Sequence, residues 1–310
     1  MSGEVREKAE KILNAHKRQP EKKKRYTLHS YGDGIANTFD RIIRRKNLPP
    51  GQISGVPTGF RGLDRITDGL QPGELVIIAG KTGKGKTALA MQILRYAAAL
   101  GFPVGLTTIE MNEYQLHLRE IAIATNIPIR DLHTGNITNS EEQHIMKIID
   151  KKILHKLPVT ISYDANTSQA VEGAGREMVE EKGCKLLVVD YLQLLKDENR
   201  TGSREQEVAG IITMLKGFAK RYCVPVIVIS SLSRAADFAT NKDPDLSQLR
   251  DSGNIEYAAD IVLFLTTDWA NRTAKIIFEK GRNYGKHIIH LKWDPYLTQY
   301  SEVEEVEGDE

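Results

Sequence analysis

The chain has 310 residues, 40% of them hydrophobic and 27% charged, with a formal net charge of +2. That is ordinary globular chemistry and excludes a wholly basic nucleic-acid coat. The two cysteines, Cys184 and Cys223, exclude a disulfide scaffold and a CxxC metal site and fit a reducing compartment. Charge is uneven along the chain: residues 1–50 carry 13 Lys or Arg against 6 Asp or Glu, whereas the run from Glu302 to Glu310 holds six acids and no base. No apolar run approaches the ~18 residues of a membrane span. The N-terminus, MSGEVREKAEKIL, lacks the apolar core of a secretory signal, so a soluble intracellular chain with no membrane partner is expected.

In chain order, residues 1–34 form a charged arm to which no fold is assigned. Ile35, Phe39, Ile42 and Ile43 recur at i, i+4, i+7 and i+8, which predicts one apolar face of a helix over residues 35–46. Asn47 and Pro49-Pro50-Gly51 stop it. Such a face needs a surface, either on its own domain or on a neighbouring subunit. From Leu75 onward apolar runs alternate with helical patterns. Strands are predicted at Leu75–Ala79, Val104–Thr108, Val159–Ser162, Leu186–Val189, Val226–Ser230, Ile261–Leu265, Lys275–Phe278 and His287–Trp293. Helices are predicted at Thr87–Leu100, Tyr114–Ala124, Ser140–Leu154, Ser168–Lys182 and Glu205–Arg221. The first five strands are continuous apolar runs, as in a parallel sheet covered on both faces by helices. The last two, joined by the short polar stretch Glu279 to Lys286, suit an antiparallel edge hairpin. The expected architecture is α/β, one domain over residues 51–301 with a mostly parallel sheet and antiparallel edge strands. A linker helix (35–50) precedes it and an acidic tail (302–310) follows.

The stretch Gly80-Lys81-Thr82-Gly83-Lys84-Gly85-Lys86-Thr87 matches GxxxxGK[ST] between a predicted strand and a predicted helix. Its glycines (Gly80, Gly83, Gly85) let backbone N–H groups, including that of Thr82, turn inward around phosphates at a helix N-terminus. Lys86 reaches the β- and γ-phosphates and the Thr87 hydroxyl ligates Mg²⁺. ATP and Mg²⁺ are therefore the expected cofactors. Asp190 ends the run Leu186–Val189, and in a parallel sheet strand C-termini share one edge, so it emerges beside the loop and holds the metal through water. Glu110 follows Val104–Thr108 at the same edge, where a carboxylate can deprotonate the attacking water. Acids also follow strands for purely structural reasons, such as capping the next helix, and that alternative stays open for both.

Several blocks together resemble the replicative hexameric helicases of the bacterial DnaB type, whose motor is RecA-like. They are Gly55-Val56-Pro57-Thr58-Gly59-Phe60 with Leu63-Asp64, the phosphate loop, Ile109-Glu110-Met111, and Asp190-Tyr191-Leu192-Gln193-Leu194. Ser230-Ser231-Leu232-Ser233-Arg234, Leu249 to Glu256 and Lys280-Gly281-Arg282-Asn283 complete the series. The resemblance implies that Lys280 and Arg282 reach a neighbour's ATP site, Arg282 as the arginine finger, and that the ring closes at six. It implies that Arg250, Asp251 and Gly253 line a channel and follow single-stranded DNA, although Asp251-Ser252-Gly253 also suits a helix-capping turn. Ser231 stands where the family usually has a γ-phosphate-sensing Gln. It further implies that the helix at 35–46 packs on the next subunit. The implied function is an ATP-dependent replicative helicase acting on single-stranded DNA and forked duplex, in the cytoplasm of a bacterial or phage-infected cell. A RecA- or RadA-type recombination ATPase and a non-translocating, nucleotide-gated DNA-binding ring are the alternatives. The family's N-terminal collar has no counterpart in these residues, so a primase or a helicase loader stays open as a partner. Trp269 and Trp293 are read as core or rim packing, with base stacking the alternative, and His287 and His290 as surface histidines.

Overall fold

The computed structural model describes residues 30–151, 154–197, 202–232, 243–249, 252–281 and 284–303. The chain divides into two units, one running to Pro49 and one from Pro50 onward. The described part of the first is helix α1 (Tyr31–Lys46), one turn longer than its apolar period predicts. The Ser30 hydroxyl starts it by accepting from the Asp33 N–H, and Arg44, Arg45 and Lys46 complement the dipole at its end. On its apolar face Ile35, Phe39 and Ile42 are each more than half exposed among the described residues.

The second unit opens with α2 (Arg61–Thr67), for which the sequence gives no period because only Leu63 and Thr67 are buried. Here the Asp64 carboxylate accepts from the Thr58 N–H, the Thr58 hydroxyl and the Gly59 N–H at 2.8–3.2 Å, folding the Thr58-Gly59-Phe60 block onto the helix. Then follow β1 (Leu75–Gly80), α3 (Lys86–Ala99), β2 (Val104–Thr108), α4 (Glu113–Thr125), α5 (Ile129–Thr134), α6 (Asn139–Asp150) and β3 (Val159–Ser162). The second half holds α7 (Ser168–Glu180), β4 (Leu186–Asp190), α8 (Arg204–Tyr222), β5 (Val226–Ser231) and α9 (Ser252–Ala258). It ends with β6 (Ile261–Asp268), β7 (Thr273–Gly281), β8 (His287–Asp294) and β9 (Gln299–Glu302). The helix predicted to reach Leu154 stops at Asp150, where Lys151 caps it; a short 3₁₀ turn at Leu154–Lys156 then leads into β3.

The nine strands form one sheet in the order β3-β2-β4-β5-β1-β6-β7-β8-β9. Six of them are parallel rather than five, because β6 pairs with β1 in the same sense; β7, β8 and β9 are antiparallel. The predicted hairpin is β7–β8, but the edge belongs to β9, a four-residue strand with only Tyr300 buried. It takes in Glu302, the first acid of the C-terminal run, whose carboxylate accepts from the Gly62 N–H at 2.8 Å.

Continuous apolar strands follow from burial on both faces. Val76, Ile78, Val188, Ile227 and Leu263 pack with α2, α3 and α4 on one side. Their neighbours Leu75, Ile77, Val189, Val228 and Val262 pack with α7, α8 and α9 on the other. Fully burying each such side chain contributes roughly 1.5–3 kcal/mol. The register at the base of β1 is pinned by Asp260, whose Oδ2 accepts from the Leu75 N–H at 2.8 Å and pairs with Lys216. The C-terminal ends of β1, β2, β4 and β5 consequently share one edge, and β1 lies between β5 and β6 where the strand order turns back. A crevice at such a reversal is where open α/β sheets bind ligands.

Candidate nucleotide site

The loop between β1 and α3 is shaped by two close approaches. A Cβ at Gly80 would sit 2.6 Å from the Leu265 carbonyl oxygen of β6. Gly85 has φ +84° and a Cβ there would meet the Tyr300 hydroxyl at 2.1 Å, so only glycine fits. The loop is also tied from outside. The Lys84 carbonyl accepts from the Thr267 hydroxyl (2.9 Å) and the Tyr300 hydroxyl (3.1 Å), and the Lys84 ammonium donates to the Thr267 carbonyl (3.0 Å). Lys84 therefore fastens the loop to β6. Below it, Gln92 of α3 exchanges two hydrogen bonds with the Tyr300 backbone at 2.8 and 2.9 Å.

Lys86 and Thr87 begin α3. The Lys86 ammonium donates to the Lys81 carbonyl across the loop at 3.0 Å. Its burial pushes its pKa down against the pull of Glu110 and Asp190. The Thr87 hydroxyl donates to Asp190 Oδ1 at 3.3 Å, and Asp190 Oδ2 is buried with no hydrogen-bond partner among the described residues. Burial, reinforced by the nearby Glu110 charge, raises the Asp190 carboxyl to about 7; the Thr87 hydrogen bond, Lys86 and Arg119 pull the other way. An orphaned buried carboxylate oxygen beside a hydroxyl is a hard-oxygen donor pair that suits a Mg²⁺ ion completing its shell with water and phosphate.

Thr82, Gly83, Gly85, Lys86, Thr87, Glu110 and Ser231 line one open cleft of about 200 Å³ at this edge. Of the sequence-predicted site residues, Thr82, Gly83, Gly85, Lys86, Thr87, Glu110 and Ser231 are thus brought together, with Asp190 directly behind Thr87, whereas Gly80 ends β1 outside the lining. Lys280 is not among the cleft residues: its ammonium caps the carbonyls of Glu256 and Ala259 at the end of α9. Gly253 is exposed in the first turn of α9, while Arg250, Asp251, Arg282 and Asn283 lie outside the described residues.

Sequence reasoning missed two members. Arg119 of α4 lines the cleft, half-buried and under the fields of Asp190 and Glu110, with its pKa lowered by desolvation. The signal was a cation on the stripe of α4 marked by the buried Leu116 and Ala122. Gln193, just past β4, gives its amide to the end of β5: Nε2 donates to the Ser230 hydroxyl at 2.8 Å and Oε1 accepts from the Ser231 N–H at 3.0 Å. A lone Gln carries no such signal in sequence.

A strand, a glycine loop and a helix N-terminus aimed past a buried carboxylate, on a sheet of this order, define a RecA-like P-loop fold. The chain belongs to the DnaB-like helicase C-terminal domain family, whose profile matches residues 55–302. It is 33% identical over 284 residues to the replicative DNA helicase DnaB of Geobacillus stearothermophilus, covering 89% of this chain and 62% of that protein. It is 34% identical over 238 residues to the replicative DNA helicase DnaC of Bacillus subtilis (strain 168), covering 76% and 52%. The chain thus spans less than two thirds of the length of these relatives. Among solved structures, an isolated ATPase domain superimposes with a TM-score of 0.81 at 25% identity, covering 90% of this chain and 100% of that one. A DnaB-like replicative helicase, described with its interactions with primase, gives a TM-score of 0.79 at 24% identity and covers 97% and 72%, a likeness of fold. Among the described residues no helix is long and apolar enough to cross a membrane.

Proposed function

We propose that this chain is the motor of an ATP-driven replicative helicase that moves along single-stranded DNA in the cytoplasm as a ring, six copies closed head to tail. The observation that carries the reading is the meeting of Lys86, Thr87, Glu110 and Arg119 at one sheet edge with Asp190 behind them. Lys86 releases the Lys81 carbonyl and turns its ammonium to the β- and γ-phosphates, while loop N–H groups cradle the chain of phosphates. Thr87 and Asp190 would hold Mg²⁺, which would supply positive charge to offset that of the phosphates. Glu110 orients and deprotonates the attacking water. Arg119 supplies cationic charge from within the subunit, and Arg282 supplies it from the neighbour, which makes hydrolysis depend on how two copies meet. Ser231, whose N–H is held by Gln193 at the end of β5, senses the γ-phosphate. Arg250, Asp251 and Gly253 grip the DNA backbone without reading bases, so binding weakens as salt rises.

The test is strand separation of a forked duplex by the protein with ATP and Mg²⁺, beside the Lys86→Ala variant. Unwinding by the parent and none by the variant is expected. A parent that hydrolyses ATP yet acts only on homologous duplex, or leaves the fork intact, overturns the helicase reading.

A further inference from the structure

The far wall of the cleft is aromatic. Trp269, in the β6–β7 turn, is 43% exposed, while Trp293 of β8, beneath it, is buried. Their rings are perpendicular with centroids 5.2 Å apart, and Trp293 in turn lies 4.4 Å from Tyr300. Because the Tyr300 hydroxyl bonds the Lys84 carbonyl, a continuous packed path runs from the phosphate loop to the exposed indole. The turn is itself fixed. Asp268 Oδ1 accepts from the N–H groups of Ala270 and Asn271 at 3.0 and 3.1 Å, and Oδ2 accepts from the Asn271 amide at 2.8 Å. Arg272 stacks over the Tyr296 ring of the β8–β9 turn at 5.1 Å, joining the two turns. Trp269 is therefore an open aromatic surface held at a set distance from the loop. Nearby, the Trp293 indole N–H is buried without an acceptor among the described residues.

We propose that Trp269 is the platform on which the nucleobase of the bound triphosphate stacks, with Trp293 as its floor. This rests on the nucleotide-site reading above and adds the substrate class to it. Met111 and Tyr191 of the lining adjoin Glu110 and Asp190 in sequence, so with the phosphates at Lys86 and Thr87 the lining left for the base is Trp269, Trp293 and Thr298. No Asn, Gln or Asp side chain lines the cleft among the described residues, so little there reads the hydrogen-bonding edge of a base. Stacking rewards ring area and tolerates edge chemistry. The site accordingly favours purine over pyrimidine nucleotides and separates ATP from GTP only weakly.

The two tryptophans are the only ones in the chain, so intrinsic emission reports on this cleft without a label. Mg-ATP and Mg-GTP are expected to quench it, Mg-CTP to do so at higher concentration. Calorimetric titration of the parent, Trp269→Ala and Trp269→Phe with Mg-ATP and with inorganic tripolyphosphate then separates the parts. Trp269→Ala should weaken ATP about tenfold and leave tripolyphosphate unchanged, and Trp269→Phe should keep most of the ATP affinity. The platform is overturned if Trp269→Ala binds ATP as the parent does, if it loses ATP and tripolyphosphate equally, or if CTP matches ATP in the parent. A parent that binds neither ligand removes the nucleotide site itself, a different failure from the loss of the platform alone.

Discussion

Asp190 holds its carboxyl at about 7 against an ordinary 3.8, chiefly because burial opposes the charge and Glu110 repels it. In the unfolded chain the proton leaves near the ordinary value; in the folded chain it stays until about 7. Between those points the native state binds more protons, so this group lowers stability as pH rises through the window, and the loss is complete above it. At about pH 8 the penalty is on the order of 4 kcal/mol and at about pH 5 about 1.5 kcal/mol. Replacing the carboxylate by an amide of the same shape removes the titration. The melting temperature of Asp190→Asn minus that of the parent, without nucleotide or Mg²⁺, should therefore grow between about pH 5 and about pH 8. At this domain size the growth is roughly 5–10 °C. Circular dichroism melts at the two pH values read it directly. The same variant should gain much less than the parent from added Mg-ATP. A difference that stays constant with pH, or shrinks as pH rises, refutes the assignment of a buried, poorly compensated charge at this position.

Glu110→Gln should bind ATP with near-parental affinity while hydrolysing it about 10²–10⁴-fold more slowly, measured by phosphate release; loss of ATP binding would make Glu110 a structural residue. Gly85→Ala places a methyl on the Tyr300 hydroxyl and forces a left-handed φ on alanine, so a loss of about 2 kcal/mol or more is expected in denaturant melts, with loss of tripolyphosphate binding. Deleting residues 1–47, which removes the exposed Ile35–Phe39–Ile42 face, should lower the assembly state seen by light scattering; an unchanged hexamer would show that the helix does not hold the ring.

Much of the sheet was legible because two-sided burial writes itself as uninterrupted apolar runs, and Leu186–Val189 and Val226–Ser230 leave no other reading. The phosphate loop was legible because its chemistry is backbone chemistry at fixed spacing. Other elements were not. Helices α2, α5 and α9 are six or seven residues long, too short to show a period, and β9 is Gln-Tyr-Ser-Glu with a single buried ring. The sixth parallel strand was hidden because β6 is joined to β5 in sequence but pairs with β1 on the far side. Around the site, Asp190 and Glu110 followed from the rule that parallel strands end on one edge. Arg119, Gln193 and the Lys84–Thr267–Tyr300 bonds join segments up to 216 residues apart, and pairings of that kind have no local signature.

The double hydrogen bond between the Gln92 side chain and the Tyr300 backbone imitates one rung of a strand ladder, with a helix residue standing in for the missing strand. Through it the helix that carries Lys86 is fastened to β9 at two points. A displacement of either element is therefore expected to carry the other with it, because sliding one past the other breaks both bonds at once.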